Sequence, residues 1–248
     1  MIAAYDHFMK LKEKVENNEQ VLCLLGLGSM ADTGRLDEFS DIDFFLIVEK
    51  GKKEGFLQDL SWLEIRPIAY TFKNTPDGYK VLFDDGIFAE FAVFEPEELL
   101  NIPFTEGNPV HMKEGFDKTL LKPTRVPKKK PVDVNFNINE ALANILIGLQ
   151  RDKRGEHASA FTFIQVNAAE LVMELFETVY DENSVEIDPF DLDRRIEKRF
   201  DHAKNVLSNL KQGYANNPAS ARYALHFLDE HFSVNQAMKE KINDLLNA

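Results

Sequence analysis

The sequence predicts an α+β protein, in which a mixed sheet flanked by helices is followed by an all-α helical bundle. Short apolar runs separated by turn signals, the pattern of strands, occur only in the first half of the chain. The second half instead repeats apolar residues three and four positions apart, the pattern of amphipathic helices. Between the halves lies a basic stretch with three prolines, residues 121–135, which is typical of an exposed connector.

The length of the chain, 248 residues, suits one large domain or two modest ones with a sizeable buried core. We place a catalytic domain at residues 1–121, a linker at 122–135 and a helical bundle at 136–248. The lysines at 128–130 could also indicate a nucleic-acid-binding or nuclear-targeting segment, but a solvated linker is the favoured interpretation.

Helices and strands alternate in the first domain. The spacing of apolar residues predicts a helix over 3–17, strands over 20–27 and 43–48, a short helix over 52–63, and strands over 65–72, 79–83 and 87–94. The close spacing of the last three strands predicts an antiparallel meander. Residues 101–120 are predicted to be irregular.

The second domain is predicted to be an up-and-down bundle of four or five helices, because its amphipathic segments are joined by short connections. These segments are residues 139–154, 157–180, 191–211, 220–232 and 234–246.

Composition excludes several classes of protein. The net charge of −13 would repel the backbone of a long nucleic acid, whereas a small anionic substrate held through metal ions is compatible with it. No run of about 18 apolar residues predicts a membrane span, and charges in the first residues argue against a signal peptide, so we expect a cytoplasmic protein. The single cysteine, Cys23, lies in an apolar run and is expected to be a buried, inert thiol.

Two aspartates mark the start of the second predicted strand. Side chains alternate along a strand, so Asp41 and Asp43 should project to the same face, with α-carbons about 6.5 to 7 Å apart. Two neighbouring carboxylates repel each other unless a cation neutralises them, and carboxylate oxygens are ligands for hard divalent metals. A solvated acidic strand start is the plainer alternative for an Asp-x-Asp pair.

Gly28 and Ser29 precede these aspartates by about twelve residues. A glycine lets the backbone leave a strand sharply, and a serine offers a hydroxyl and a backbone N–H to a phosphate oxygen. A phosphate cradle beside a two-carboxylate metal site is what nucleotidyl transfer requires. Taken alone, the Gly-Ser pair is equally typical of an ordinary turn.

A third carboxylate would complete such a site. Glu90 is the only charged residue in the apolar run at 87–94, and a charge within a sheet is costly unless something pairs with it. If this strand lies beside that of Asp43, Glu90 joins the aspartates as a metal ligand, a general base, or both.

This pattern resembles the DNA polymerase β-like nucleotidyltransferase superfamily, through Gly28-Ser29, Asp41-Ile42-Asp43 and Glu90. Within it, the chain is most similar to the two-domain lincosamide nucleotidyltransferases. Four further elements carry this closer resemblance: Phe39-Ser40 before the aspartates, Ala89-Glu90-Phe91, Asn101-Ile102-Pro103, and Lys153-Arg154-Gly155-Glu156.

The resemblance implies an adenylyltransferase-type enzyme that uses two Mg²⁺ ions. Its substrate would be a nucleoside triphosphate, with ATP favoured. Its metal ligands would be Asp41, Asp43 and Glu90, with Glu90 also the proposed base, and Gly28 and Ser29 would contact phosphate. Family members often carry a cation where this chain has Met30. Triphosphate neutralisation is therefore assigned to the metals and to three basic residues: Arg35, Lys153 and Arg154.

The reaction implied is transfer of AMP, or another nucleoside monophosphate, to a hydroxyl of a small molecule bound between the domains. A lincosamide or aminoglycoside antibiotic is the favoured acceptor. The alternatives are a protein-adenylylating, antitoxin-like enzyme and an inactive nucleotide-binding module. The expected partners are the triphosphate and a small acceptor, with no long nucleic acid and no membrane, and a homodimer is one of the oligomeric states left open.

Overall fold

The computed structural model of this protein describes residues 2–127, 131–185, 187–191 and 193–248. The chain divides into two units, residues 1–127 and 128–248. The finer predicted bounds of the two domains and of the linker stay a prediction, and the basic run at 128–130 lies outside the described residues.

A six-stranded mixed sheet is the centre of the first unit. Its strands are β1 Val21–Gly26, β2 Ile42–Val48, β3 Ile68–Thr75, β4 Gly78–Phe83, β5 Phe88–Phe94 and β6 Asn108–Met112. They lie side by side in the order β3-β4-β5-β2-β1-β6. The β3-β4-β5 meander is antiparallel, as predicted, and β2 and β5 are paired in parallel. This parallel pair sets the start of β2 beside the start of β5.

Both faces of the sheet are covered by apolar side chains. On one face Ile42 and Phe44 of β2 belong to a core that includes Phe8 of helix α1 (Ala3–Val15). Helix α3 (Lys53–Gln58) adds its buried apolar residues to the same core. On the other face, Ile47 joins a smaller core with Phe94, so β2 alternates between two apolar layers. The half-buried Asp43 breaks this alternation.

The second unit contains helices around a single apolar core. Its helices are α4 Val134–Lys153, α5 His157–Phe161, α6 Ala169–Glu174, α7 Phe176–Val179, α8 Ile196–Arg199, α9 Ala203–Leu210, α10 Asn217–His231 and α11 Gln236–Asn247. The mixed sheet of the first unit and the helices of the second confirm the predicted α+β class.

Two of the predicted long helices are irregular. A π-helix, Thr162–Ala168, interrupts the segment at 157–180, and its buried Gln165 exchanges hydrogen bonds with the backbone of Gly213. In the segment at 191–211, Arg195 has φ +66°, a left-handed conformation that a right-handed helix does not accept. Phe200 is extended and separates α8 from α9. The prediction of one continuous helix over 191–211 was therefore wrong, whereas the segment at 157–180 stays helical up to Val179 with a π-helix inside it.

The segment at 101–120, predicted to be irregular, contains β6. Strand β6 pairs with β1 and lies at an edge of the sheet. Pro109 lacks a backbone N–H, and an edge strand is where a sheet accepts it. The pairing with β1 makes this segment a strand, although its own sequence carries a weak strand pattern. None of the described helices combines the length and the apolar character needed to cross a membrane.

Candidate functional site

The Gly28-Ser29 turn is separated from the end of β1 by one residue, Leu27. Leu27 is extended, Gly28 has φ +52°, and the one-turn helix α2 (Gly28–Ala31) begins there. The N–H of Leu27 donates to the backbone carbonyl of Asp43 at 2.8 Å, and the hydroxyl of Ser29 donates to that of Asp41 at 3.5 Å. These bonds hold the turn against the start of β2, so the predicted phosphate cradle lies beside both predicted metal-binding aspartates.

Glycine at position 28 is required by the conformation and by a close neighbour. A Cβ at Gly28 would lie 2.9 Å from Oδ2 of Asp43. The positive φ would strain any L-residue in addition. The carboxylate of Asp43 therefore lies against the backbone of Gly28, in the space that the side chain of any other residue at position 28 would occupy.

The variant Gly28→Ala is expected to be destabilised by about 1 to 2 kcal/mol, because an L-residue is strained at this φ. It should also lower the turnover of the reaction proposed below by about tenfold or more, because the new methyl group displaces the Asp43 carboxylate. Urea unfolding gives the first number and pyrophosphate release gives the second.

Gly51→Ala is the matched control. Gly51 has φ +77°, and a Cβ there meets nothing within 4 Å. We expect a similar loss of stability with unchanged turnover, because the strain is shared and the contact with Asp43 is not. Equal losses of turnover in the two variants would contradict the role of the Gly28 contact.

The pairing of β2 with β5 brings two of the three predicted carboxylates together. Asp43 is directly opposite Glu90 in the parallel register. Opposed residues of neighbouring strands project to the same face, with strands about 4.8 Å apart. Asp41 is exposed and lies one residue before the start of β2. The proximity of Glu90 to the aspartate strand, on which the three-carboxylate prediction depended, is confirmed for Asp43.

Two polar side chains that the sequence analysis did not identify contact Glu90. Nδ2 of Asn74, on β3, donates to Oε1 of Glu90 at 2.9 Å. Nζ of Lys80, on β4, lies 3.4 Å from Oε2. The strand register could have pointed to Lys80, because it is opposite Glu90 in the antiparallel pair of β4 and β5. Nothing in the local sequence distinguishes Asn74 from an ordinary turn residue.

The three predicted phosphate-binding cations are divided between the two units. Arg35 ends a 3₁₀ turn, Thr33–Arg35, that follows α2 in the first unit. Lys153 is the last residue of α4 and Arg154 is its C-cap, both exposed on the second unit. Their contact with phosphate stays a prediction.

Cys23 has no role in this site. Its thiol is fully buried in β1, and burial raises its pKa to about 12. A thiol with so high a pKa is protonated at neutral pH and is a poor nucleophile. The expectation of a buried, inert cysteine is confirmed.

The start of β2 fits a hard cation such as Mg²⁺, because Asp41 and Asp43 offer carboxylate oxygens. The Asp43 carboxylate lies in the space that a Cβ at Gly28 would fill. Within the part of the chain that the structure describes, no group of three or more His, Cys, Asp or Glu residues is arranged to hold a metal ion. Mg²⁺ is usually bound through one or two carboxylates together with substrate phosphates. The metal ligation by Asp41, Asp43 and Glu90 therefore stays a prediction.

No protein-family model matches the sequence, and no curated protein matches it. Solved structures that this chain resembles include nucleotidyltransferases. They include an aminoglycoside 6-adenyltransferase from Bacillus subtilis, with 13% identity, a TM-score of 0.37, and coverage of 97% of this chain and 90% of that one.

Two further structures resemble the chain to a similar degree. A spectinomycin adenyltransferase from Enterococcus faecialis, solved with ATP and spectinomycin, is 13% identical, with a TM-score of 0.33 and coverage of 98% of both chains. The nucleotidyltransferase CdnG from Bradyrhizobium diazoefficiens, solved with GTP, is also 13% identical, with a TM-score of 0.31 and coverage of 92% of both chains. Likeness at this level carries no argument about substrate, and the lincosamide type stays a prediction.

Proposed function

We propose that this protein is a Mg²⁺-dependent nucleotidyltransferase that transfers a nucleoside monophosphate, AMP above all, from a nucleoside triphosphate to a hydroxyl of a small molecule. One observation carries the proposal. The parallel register of β2 and β5 sets Glu90 beside Asp43, whose carboxylate in turn lies against the Gly28-Ser29 turn. A carboxylate pair next to a phosphate-binding turn is the arrangement that such a transfer requires.

Each group has a separate task in this reaction. Asp41 and Asp43 would hold the metal, which when bound neutralises the charge of the triphosphate. The hydroxyl and N–H of Ser29 bind a phosphate oxygen. Glu90 accepts the proton of the acceptor hydroxyl, whose oxygen bonds to the α-phosphorus while the bond from that phosphorus to the bridging oxygen breaks. Pyrophosphate leaves with the electron pair of that bond.

The acceptor that we propose is a lincosamide or aminoglycoside antibiotic. The support for this step is the resemblance of the sequence motifs around Asp41, Glu90 and Arg154 to antibiotic-modifying enzymes. A chain with a net charge of −13 also suits a positively charged acceptor better than a polyanion. We place the protein in the cytoplasm, where ATP and Mg²⁺ are present.

Pyrophosphate release tests the proposal. The full chain is incubated with Mg²⁺, each of the four common nucleoside triphosphates, and a panel of lincosamides, aminoglycosides and candidate protein acceptors. We expect release that depends on both Mg²⁺ and one class of small acceptor, with a mass gain of one nucleotide on that acceptor.

The other outcomes identify the alternatives. A nucleotide added to a polypeptide, detected by intact mass, would indicate a protein-adenylylating enzyme. Mg²⁺-dependent binding of ATP without release, measured by calorimetry, would indicate a nucleotide-binding module. The absence of both binding and release would overturn the proposal.

A further inference from the structure

We propose that Asn74 and Lys80 are positioning residues that hold the Glu90 carboxylate in the orientation in which it receives the acceptor proton. This inference rests on the proposed function. Together the two residues give each carboxylate oxygen one donor, with Asn74 at Oε1 and Lys80 at Oε2. Rotation of the carboxylate would break both contacts, so the two donors define its plane.

The two contacts are unequal. The side chains of Lys80 and Glu90 are 40% and 43% exposed, and an ion pair in contact with water contributes little. The hydrogen bond from Asn74 is shorter and partly buried, and its acceptor is a carboxylate oxygen of Glu90. Asn74 is therefore expected to have the larger effect on Glu90.

A local irregularity of β3 surrounds Asn74. Phe72 is opposite Lys80, but the next paired residue, Thr75, is opposite Gly78, so Lys73 and Asn74 together face one residue of β4. Such a bulge bends a strand and re-aims a side chain, and bulges are over-represented at sheet edges and beside active sites. Here β3 is an edge strand, and the amide at the bulge reaches past β4 to a carboxylate on β5.

Gly78 belongs to the same arrangement. A Cβ at Gly78 would lie 2.2 Å from the carbonyl oxygen of Phe91, so no other residue fits between β3 and β5 at this point.

The other end of the Asn74 amide is unpaired. Its Oδ1 is buried and has no hydrogen-bond partner among the described residues. A buried acceptor without a partner is unfavourable, and an apolar side chain of the same size would avoid the cost. Turning the amide round would remove the donor and place Oδ1 against the carboxylate. The oxygen of the Asn74 amide therefore disfavours folding, whereas its N–H group donates to Glu90. This combination favours a role of Asn74 in the reaction over a role in stability.

Steady-state kinetics of Asn74→Leu test the proposal. We expect kcat to fall by about 10- to 100-fold, because Glu90 loses its orientation, with KM for the triphosphate unchanged. Thermal stability should stay equal or rise, because the buried unpaired acceptor is removed. Lys80→Met should lower kcat less than Asn74→Leu does, and Lys80→Arg should keep the wild-type kcat. Lys73→Met is the control, since Lys73 lies over the ring of Tyr79 rather than at Glu90.

A double-mutant cycle separates this inference from the proposed function. Once Glu90→Gln has removed the base, Asn74→Leu should cause no further loss of kcat, because it acts only through Glu90. If Asn74→Leu lowers kcat by the same factor in the wild-type and the Glu90→Gln proteins, the positioning role is overturned. The nucleotidyltransferase proposal would then remain intact. A wild-type chain that releases no pyrophosphate would instead overturn the proposed function and this inference with it.

Discussion

The double variant Asp41→Asn with Asp43→Asn is expected to lower pyrophosphate release by about a thousandfold or more. Asparagine keeps the shape of aspartate but removes both charges that would bind the metal, and a bound metal contributes several kcal/mol of transition-state stabilisation, at 1.4 kcal/mol for each factor of ten. Release is measured at saturating triphosphate and acceptor. Calorimetry with Mg²⁺ and a non-hydrolysable triphosphate should show weakened binding.

A control with the same chemical change tests whether the loss comes from these positions. Asp181 and Asp244 are exposed carboxylates of the second unit. The pair of substitutions Asp181→Asn with Asp244→Asn alters the net charge equally and should leave turnover within about twofold. Retention of more than a tenth of the wild-type rate by the Asp41 and Asp43 variant would rule out these residues as the metal ligands.

Glu90→Gln is expected to lower kcat by about 10²- to 10⁴-fold, which is the usual contribution of a general base. Glutamine has the same size, and its side-chain oxygen can still accept the hydrogen bond from Asn74, so the sheet should remain intact. If Glu90 acts on the acceptor, KM for the triphosphate should change little. Initial rates over a matrix of triphosphate and acceptor concentrations give these constants.

Glu97→Gln is the corresponding control. The side chain of Glu97 is 67% exposed, and its Oε1 lies 4.0 Å from Nζ of Lys50. This variant should behave as wild type. A Glu90→Gln enzyme with an unchanged kcat and a raised KM for Mg²⁺-triphosphate would show that Glu90 serves as a metal ligand rather than as a base.

The strand pattern around the site could be predicted because it is local. Alternation of apolar residues placed β2 and β5, and the charges at Asp43 and Glu90 were conspicuous because an apolar strand rarely carries a lone carboxylate. The opposition of Asp43 and Glu90 needed one additional fact, that β2 pairs in parallel with β5. Forty-seven positions separate these residues in the printed sequence, and no local pattern encodes that pairing.

The helical unit shows the same limit. Apolar spacing three and four apart indicated helices over 157–180 and 191–211, and such spacing persists across a π-helix or a single left-handed residue. Arg195 is the only non-glycine with positive φ among the described residues, and an arginine in the sequence does not predict that conformation. The π-helix contains the buried Gln165, whose amide hydrogen-bonds to Gly213 and Asn217, far away in the sequence.

By itself the sequence determined the α+β class, the strand starts that carry Asp43 and Glu90, and the glycine at the turn, because periodicity, charge and glycine are properties of neighbouring residues. Tertiary structure alone decided that Gly28 lies against Asp43, that Asp43 is opposite Glu90, and that Asn74 reaches Glu90 across β4. These contacts arise from strand order, register and a bulge. The whole chain adopts the strand order and register that bury the apolar side chains on both faces of the sheet.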